Sequence, residues 1–151
     1  EPKPRNGPLD IWIGGKSDAI LKRVARLGDG WFPALTSPTA FRKDMEKLKS
    51  YGQECGRTID TDEAGVLLFT HVCEDRAGAV KAVEPFFHGF GVDPEKIMNA
   101  SLIGSGRECA EQINRFVEAG CSKFVLRPIC PPNEIPDQLA RFGDDILPAF
   151  L

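Results

Sequence analysis

The sequence predicts an α/β fold built on a parallel sheet, on three observations. Segments that read as strands alternate with amphipathic, helix-like segments along almost the whole chain. The stretch Ala64–Val72 (AGVLLFTHV) is nearly continuous in apolar residues, as expected of a parallel strand covered on both faces. Capping residues open the helical segments and glycines close several of them. Alternation of this kind implies parallel strands joined by right-handed crossovers.

The elements follow in order. Residues 1–8 contain three prolines and read as an extended arm. Leu9–Ile13 is the first strand, and Gly14-Gly15 a tight turn. Ser17 caps a helix whose apolar face is Ile20, Leu21, Val24 and Ala25, and Gly28 stops it. Gly30–Leu35 is the second strand. Ser37-Pro38 joins an N-cap to the residue type favoured at the first helical position, and Phe41, Met45 and Leu48 repeat at helical spacing up to Gly52. After the third strand, Ala64–Val72, Asp75 caps a helix through Val80 and Val83, and Asp93-Pro94 starts a shorter one. Ser105 with Glu108 forms a capping box, and Cys109, Ile113, Phe116 and Val117 make a buried stripe before Gly120. Lys123–Ile129 is the fourth strand. A last helix runs from about Pro136 through Leu139, Phe142 and Ile146 to Pro148.

The expected organisation is one domain over 1–151: the arm (1–8), then four strand–helix units (9–151). Four is an awkward number, because a doubly wound sheet normally has more strands and a closed barrel of this type has eight. Four parallel strands alone leave two unprotected edges. Either the sheet pairs with another chain or the sequence is half of something; the absence of an initiator Met points the same way.

Composition narrows the function classes. With 42% hydrophobic residues, 27% charged residues and a net charge of −3, the chain gives no reason to expect nucleic acid or an anionic membrane as partner. No apolar run approaches the ~20 residues that span a bilayer, and the first residues lack the apolar core of a signal peptide. The five cysteines are odd in number, scattered and without a C-x-x-C pair. They read as reduced thiols of a cytoplasmic protein, with no metal site.

Four segments, IWIGGKS, ARLGDGWFP, the Gly56-Arg57 pair and GSGRECAEQINRFVEAGCSKFVLRP, resemble the luciferase-like monooxygenase family in order and spacing. The resemblance implies the C-terminal half of a (β/α)8 TIM barrel, strands five to eight, with the four strand candidates matching those strands. It also implies an oxidoreductase, a monooxygenase or a related enzyme, using FMN or an 8-hydroxy-5-deazaflavin at the C-terminal mouth. Here that mouth would comprise Gly14–Ser17, Pro33–Thr36, His71–Cys73 and Arg127–Cys130. In the family the other half supplies much of the ring pocket and the substrate contacts. This chain is therefore expected to be inactive alone and to contribute the cofactor-phosphate side. The GDGWFP and FVLRP strings look slightly more like the deazaflavin branch; the cofactor stays undecided between the two.

Gly14, Gly15, Lys16 and Ser17 are the leading site candidates. Backbone amides at a helix start favour a phosphate, the glycines permit close approach, Ser17 offers a hydroxyl and Lys16 a charge. The same residues also make an ordinary strand-to-helix turn in which Ser17 only caps, and the P-loop spacing is missing. Arg127, at the end of the last strand, would pair with a phosphate or an anionic substrate, or with a surface carboxylate. Trp31 would wall the cofactor pocket or simply fill the core, and Trp12 reads as core. His71 stands where an acid or base could reach the mouth, although a structural role is common for such a residue. His88 falls in a loop-rich stretch. No residue is assigned as catalytic acid or base. The expected partners are the cofactor, a small-molecule substrate, and an N-terminal half barrel or a second copy of the chain. The rival reading is a non-catalytic half barrel that self-associates through its open strand edges.

Overall fold

The computed structural model describes residue 7, residues 9–87 and residues 94–151. His88 and all of the expected arm except Gly7 lie outside the described residues. The chain forms β1 (Trp12–Ile13), α1 (Asp18–Leu27), β2 (Gly30–Trp31), α2 (Pro38–Glu54), β3 (Gly65–Val72), α3 (Arg76–Phe87), α4 (Pro94–Asn99), β4 (Ser101–Gly104), α5 (Gly106–Glu118), β5 (Lys123–Pro128) and α6 (Ile135–Arg141). A π-helical turn over Phe142–Ile146 and a 3-10 turn over Leu147–Ala149 follow α6.

Every strand pairing is parallel: β1 with β2, and β3 with both β4 and β5. Single bridges, Trp31 to Ala64 and Ala34 to Leu67, link β2 to β3. Successive residues of a parallel strand bond to opposite edges, so parity shows which neighbour takes which edge. Leu67 N–H donates to Pro33 and Cys73 N–H to Gly104, whereas Ala64 and Thr70 accept from Ser122 and Ile129. Odd residues of the β3 segment thus face β2 and then β4, and even residues face β5. The spatial order is β1, β2, β3, β5, with β4 lying beside the last residues of β3 above the point where β2 leaves.

Five strands therefore stand where the sequence predicts four. Ser101–Gly104 has no readable period, being four residues wedged between α4 and a capping box. The first two strands are also shorter than predicted. Leu9–Ile13 reduces to two paired residues, and Gly30–Leu35 to a pair plus one bridge. The helices lie close to expectation. Ser17, Ser37 and Ser105 each accept a backbone N–H as N-caps, and the Ser105–Glu108 box is complete. One apolar residue read as buried is exposed, Val117, because it sits at the rim of its helix's stripe.

The core between sheet and helices contains Leu21, Val24, Trp31, Phe41, Leu48, Val66, Leu68 and Phe116, all fully buried. Burial of this apolar surface, at roughly 25 cal/mol per Å2, is the main stabilising term. The opposite sheet face carries Trp12, Phe32, Phe69 and the alternate β5 residues. A smaller cluster covers its C-terminal end, joining Phe69, Ile103 and Ile129 to Ala79, Val83 and Phe87 of α3. Two glycines give the rings of this face their room. A Cβ on Gly30 would come within 2.5 Å of the Trp12 ring, and one on Gly65 within 2.8 Å of Phe32. Trp12, expected as core, is only half-buried here, with Phe32 edge-on at 5.9 Å and Lys123 above its ring.

Candidate functional site

Because all strands run the same way, the segments following them gather at one end of the sheet. After β1, Gly15 turns the chain at φ +102°, a conformation open to glycine at no steric cost. Gly14 lies so close to the next strand that a Cβ there would stand 3.1 Å from the Phe32 carbonyl oxygen. The turn is anchored twice. Trp31 Nε1 donates to the Gly15 carbonyl at 2.7 Å, and Lys16 Nζ donates to the Leu35 carbonyl in the segment after β2. Leu35 itself adopts a left-handed φ of 51°, the only non-glycine to do so among the described residues.

Ser17 caps α1 with its hydroxyl accepting from Ile20 N–H. The first helical residue is Asp18, an acid at the positive end of the helix, ion-paired to Lys47 at 3.0 Å. Its charge opposes an incoming anion, while Lys16, the exposed Ser17 and the first-turn amides favour one. Lys47, in turn, is raised above its ordinary value by the hydrogen bond it donates to Asp18.

Trp31 sits on the helix side of the sheet. Its ring is 1% exposed and stacked on Phe41 at 4.9 Å, so it offers no surface to a ligand and acts on the turn instead. Arg127 lies on the other face, exposed, with its guanidinium over the Phe69 ring at 5.6 Å. It joins no ion pair among the described residues. His71, in β3, places Nδ1 2.8 Å from the Ile129 carbonyl oxygen. Cys130 follows, its thiol pushed up by partial burial and by Glu134.

The sequence reading does not single out Gln138. Its side-chain amide accepts from Val72 N–H at 2.8 Å and donates to Val72 O at 2.9 Å, completing the edge of β3 beyond the last residue of β5. The available signal is its spacing, four residues before the buried Phe142 on one helical face.

The other end of the sheet explains two of the family-like strings. Arg57 donates to the carbonyl oxygens of Ala25 and Gly28 at the end of α1, and lies 3.7 Å from Asp29. Asp29 accepts from Ile11 N–H. The Gly56-Arg57 and GDG strings thus build a clamp at the N-terminal end, remote in the fold from the mouth. A cleft of about 430 Å3 between α2 and α5 is likewise on the helix side, and its Arg42 is engaged on the Glu118 carbonyl. Among the described residues no three His, Cys, Asp or Glu side chains gather as a metal site, and no helix is long and apolar enough to cross a membrane.

The sequence profile of the family described as luciferase-like monooxygenase matches residues 1–123. The chain belongs to that family. An F420-dependent secondary alcohol dehydrogenase solved with an F420–acetone adduct superposes at a TM-score of 0.78 with 19% identity, covering 97% of this chain and 50% of that one. The coenzyme F420-dependent tetrahydromethanopterin reductase of Methanopyrus kandleri gives 0.69 with 18% identity, covering 95% and 51%. The oxygenating constituent of 3,6-diketocamphane monooxygenase from Pseudomonas putida, solved with FMN, gives 0.66 with 18% identity, covering 94% and 49%. At these identities the likeness is one of fold, and the chain spans about half the length of the structures it matches. No curated protein matches it.

Proposed function

We propose that this chain is the C-terminal-half portion of a flavin- or deazaflavin-dependent luciferase-like oxidoreductase and contributes the phosphate side of the cofactor site. The observation that carries the reading is the doubly anchored Gly14–Ser17 turn at the C-terminal end of β1, leading into a helix N-terminus. Active sites of (β/α)8 barrels lie at that end of the strands. FMN and the deazaflavin coenzyme both carry a phosphoryl group, and the donors here suit one: amides, a hydroxyl and an ammonium with two hydrogens to spare. Asp18 is the opposing charge, and its ion pair with Lys47 offsets part of it.

When bound, the cofactor supplies the redox chemistry, as hydride transfer or oxygen activation. The chain's own residues bind and orient. Trp31 fixes the Gly15 carbonyl, Lys16 ties the first turn to the second, and Arg127 offers a forked cation on the opposite sheet face for a phosphate or an anionic substrate. The substrate is a small molecule, met together with the other half of the barrel.

Fluorescence titration with FMN and with an 8-hydroxy-5-deazaflavin tests this. Lys16→Ala with Ser17→Ala should weaken binding at least about tenfold, a loss of about 1.4 kcal/mol. Unchanged affinity would remove the turn from the site. One observation supports the alternative of a non-catalytic, self-associating half barrel: on the face away from the helices, Val125 is 47% exposed and flanked by Lys123 and Arg127.

A further inference from the structure

His71 stands one residue from the end of β3, on the sheet face shared with Leu67 and Phe69. Its side chain is nearly buried, and its Nδ1 lies 2.8 Å from the Ile129 carbonyl oxygen. A carbonyl oxygen only accepts, so Nδ1 carries the hydrogen and donates it. In the neutral ring Nε2 is then an acceptor with a free lone pair. No hydrogen bond reaches Nε2 among the described residues. Yet no sealed side-chain nitrogen or oxygen among them lacks a partner, so Nε2 is open to solvent or to a bound molecule.

The clamp on the other nitrogen is rigid. Ile129 N–H donates back to Thr70 O at 2.9 Å, and Gln138 brackets Val72 from the same edge. The imidazole is thus fixed in one tautomer and one orientation by backbone on both flanking residues. A purely structural contact to Ile129 needs only one donor. The second nitrogen is left available at the end of the sheet where the strand termini converge.

We propose that His71 contacts the bound small molecule directly, Nε2 accepting a hydrogen bond from a ligand N–H or O–H. This deepens the cofactor-site reading and rests on it. A flavin-type ring offers an imide N–H, and a ribityl chain or an alcohol substrate offers hydroxyls. The fully ionised phosphate ester of FMN has no O–H to donate, so this contact is chemically separate from the Gly14–Ser17 turn.

Long-range 1H–15N correlation spectra of protein labelled at histidine nitrogens provide the test, with His71→Asn distinguishing His71 from His88. The free protein should show a pyrrole-type Nδ1 and a pyridine-type Nε2 for His71. FMN should move the Nε2 signal and leave Nδ1 in place, whereas inorganic phosphate should move neither. Asparagine retains a donor for Ile129, so His71→Asn should keep the unfolding midpoint while weakening FMN about five- to tenfold, the size of one hydrogen bond. An Nε2–H tautomer, an Nε2 signal unmoved by bound FMN, or wild-type FMN affinity in His71→Asn would each overturn the proposal and leave the cofactor reading standing. Absence of binding by both FMN and the deazaflavin would overturn the two together.

Discussion

Arg57 reaches the Ala25 and Gly28 carbonyls and faces Asp29, which in turn accepts from Ile11 N–H. One guanidinium thereby closes the end of α1 and fixes the entry to β1. Hydrogen bonds from a charged donor contribute about 1.5–3 kcal/mol each, and the half-exposed ion pair adds little. Arg57→Ala should therefore lower stability by about 2–4 kcal/mol in a urea titration, and lysine, with no fork, should recover under half of it. Gly30→Ala drives a methyl into the Trp12 ring and against the Glu63 carbonyl, and should cost about 1–3 kcal/mol with a change in tryptophan fluorescence. The thiols sort by burial. Cys109 and Cys121 are pushed up to about 12, and Cys55 is exposed. At pH 8 the first two are about one part in ten thousand thiolate, so alkylation of the folded chain should mark Cys55 and spare them, as peptide mass spectrometry would read.

Among the elements, helices were legible and short strands were not. A helix announces itself through a cap and a 3.6-residue stripe, and Ser17, Ser37 and Ser105 cap as their spacing predicts. A two- or four-residue strand has too few positions for any period, which is why β4 leaves no signal and β1 and β2 read as longer than they are. The longer strands were legible: β3, with eight residues, as a continuous apolar run, and β5, which stands at Lys123–Pro128 against the expected Lys123–Ile129. The α5 cap carries a titratable signature. Hydrogen bonds from Ser105 backbone and side chain hold the Glu108 carboxyl below its ordinary 4.5. A depressed carboxylate stabilises the fold fully above its unfolded value and loses that contribution as pH falls through the folded one. Between about pH 5 and 3, Glu108→Gln should thus lose urea stability less steeply than the wild type. Gln138→Leu, by contrast, strands two buried backbone groups of Val72, and should cost about 1–3 kcal/mol at any pH.

At the scale of the whole molecule, the family was readable from ordered strings, but not what each string does. The GDG and Gly56-Arg57 strings belong to the clamp at one end of the sheet, while the IWIGGKS turn and the FVLRP end of the last string lie at the other. Spacing along a chain cannot separate two ends that long-range pairing creates. Nor could it show that Trp31 would face the helices, since a two-residue strand leaves its face unset. What the assembled sheet does show is an asymmetry between its faces. The helix side is sealed by Trp31, Phe41 and Phe116, while Val125, Lys123 and Arg127 stand open on the other. Among the described residues, β1 and β5 each keep an unpaired edge. In a closed barrel such residues form packed interior layers and no edge remains. Exposed parallel edges beside a half-bare apolar face favour association, with a complementary half or with a second copy. Light scattering on the purified chain should accordingly give a mass above 16.6 kDa. Val125→Asp, which places a charge at the centre of the open face, should shift the population toward monomer without disturbing the helix-side core. A monodisperse 16.6 kDa wild type that unfolds cooperatively would show that the face is stable uncovered.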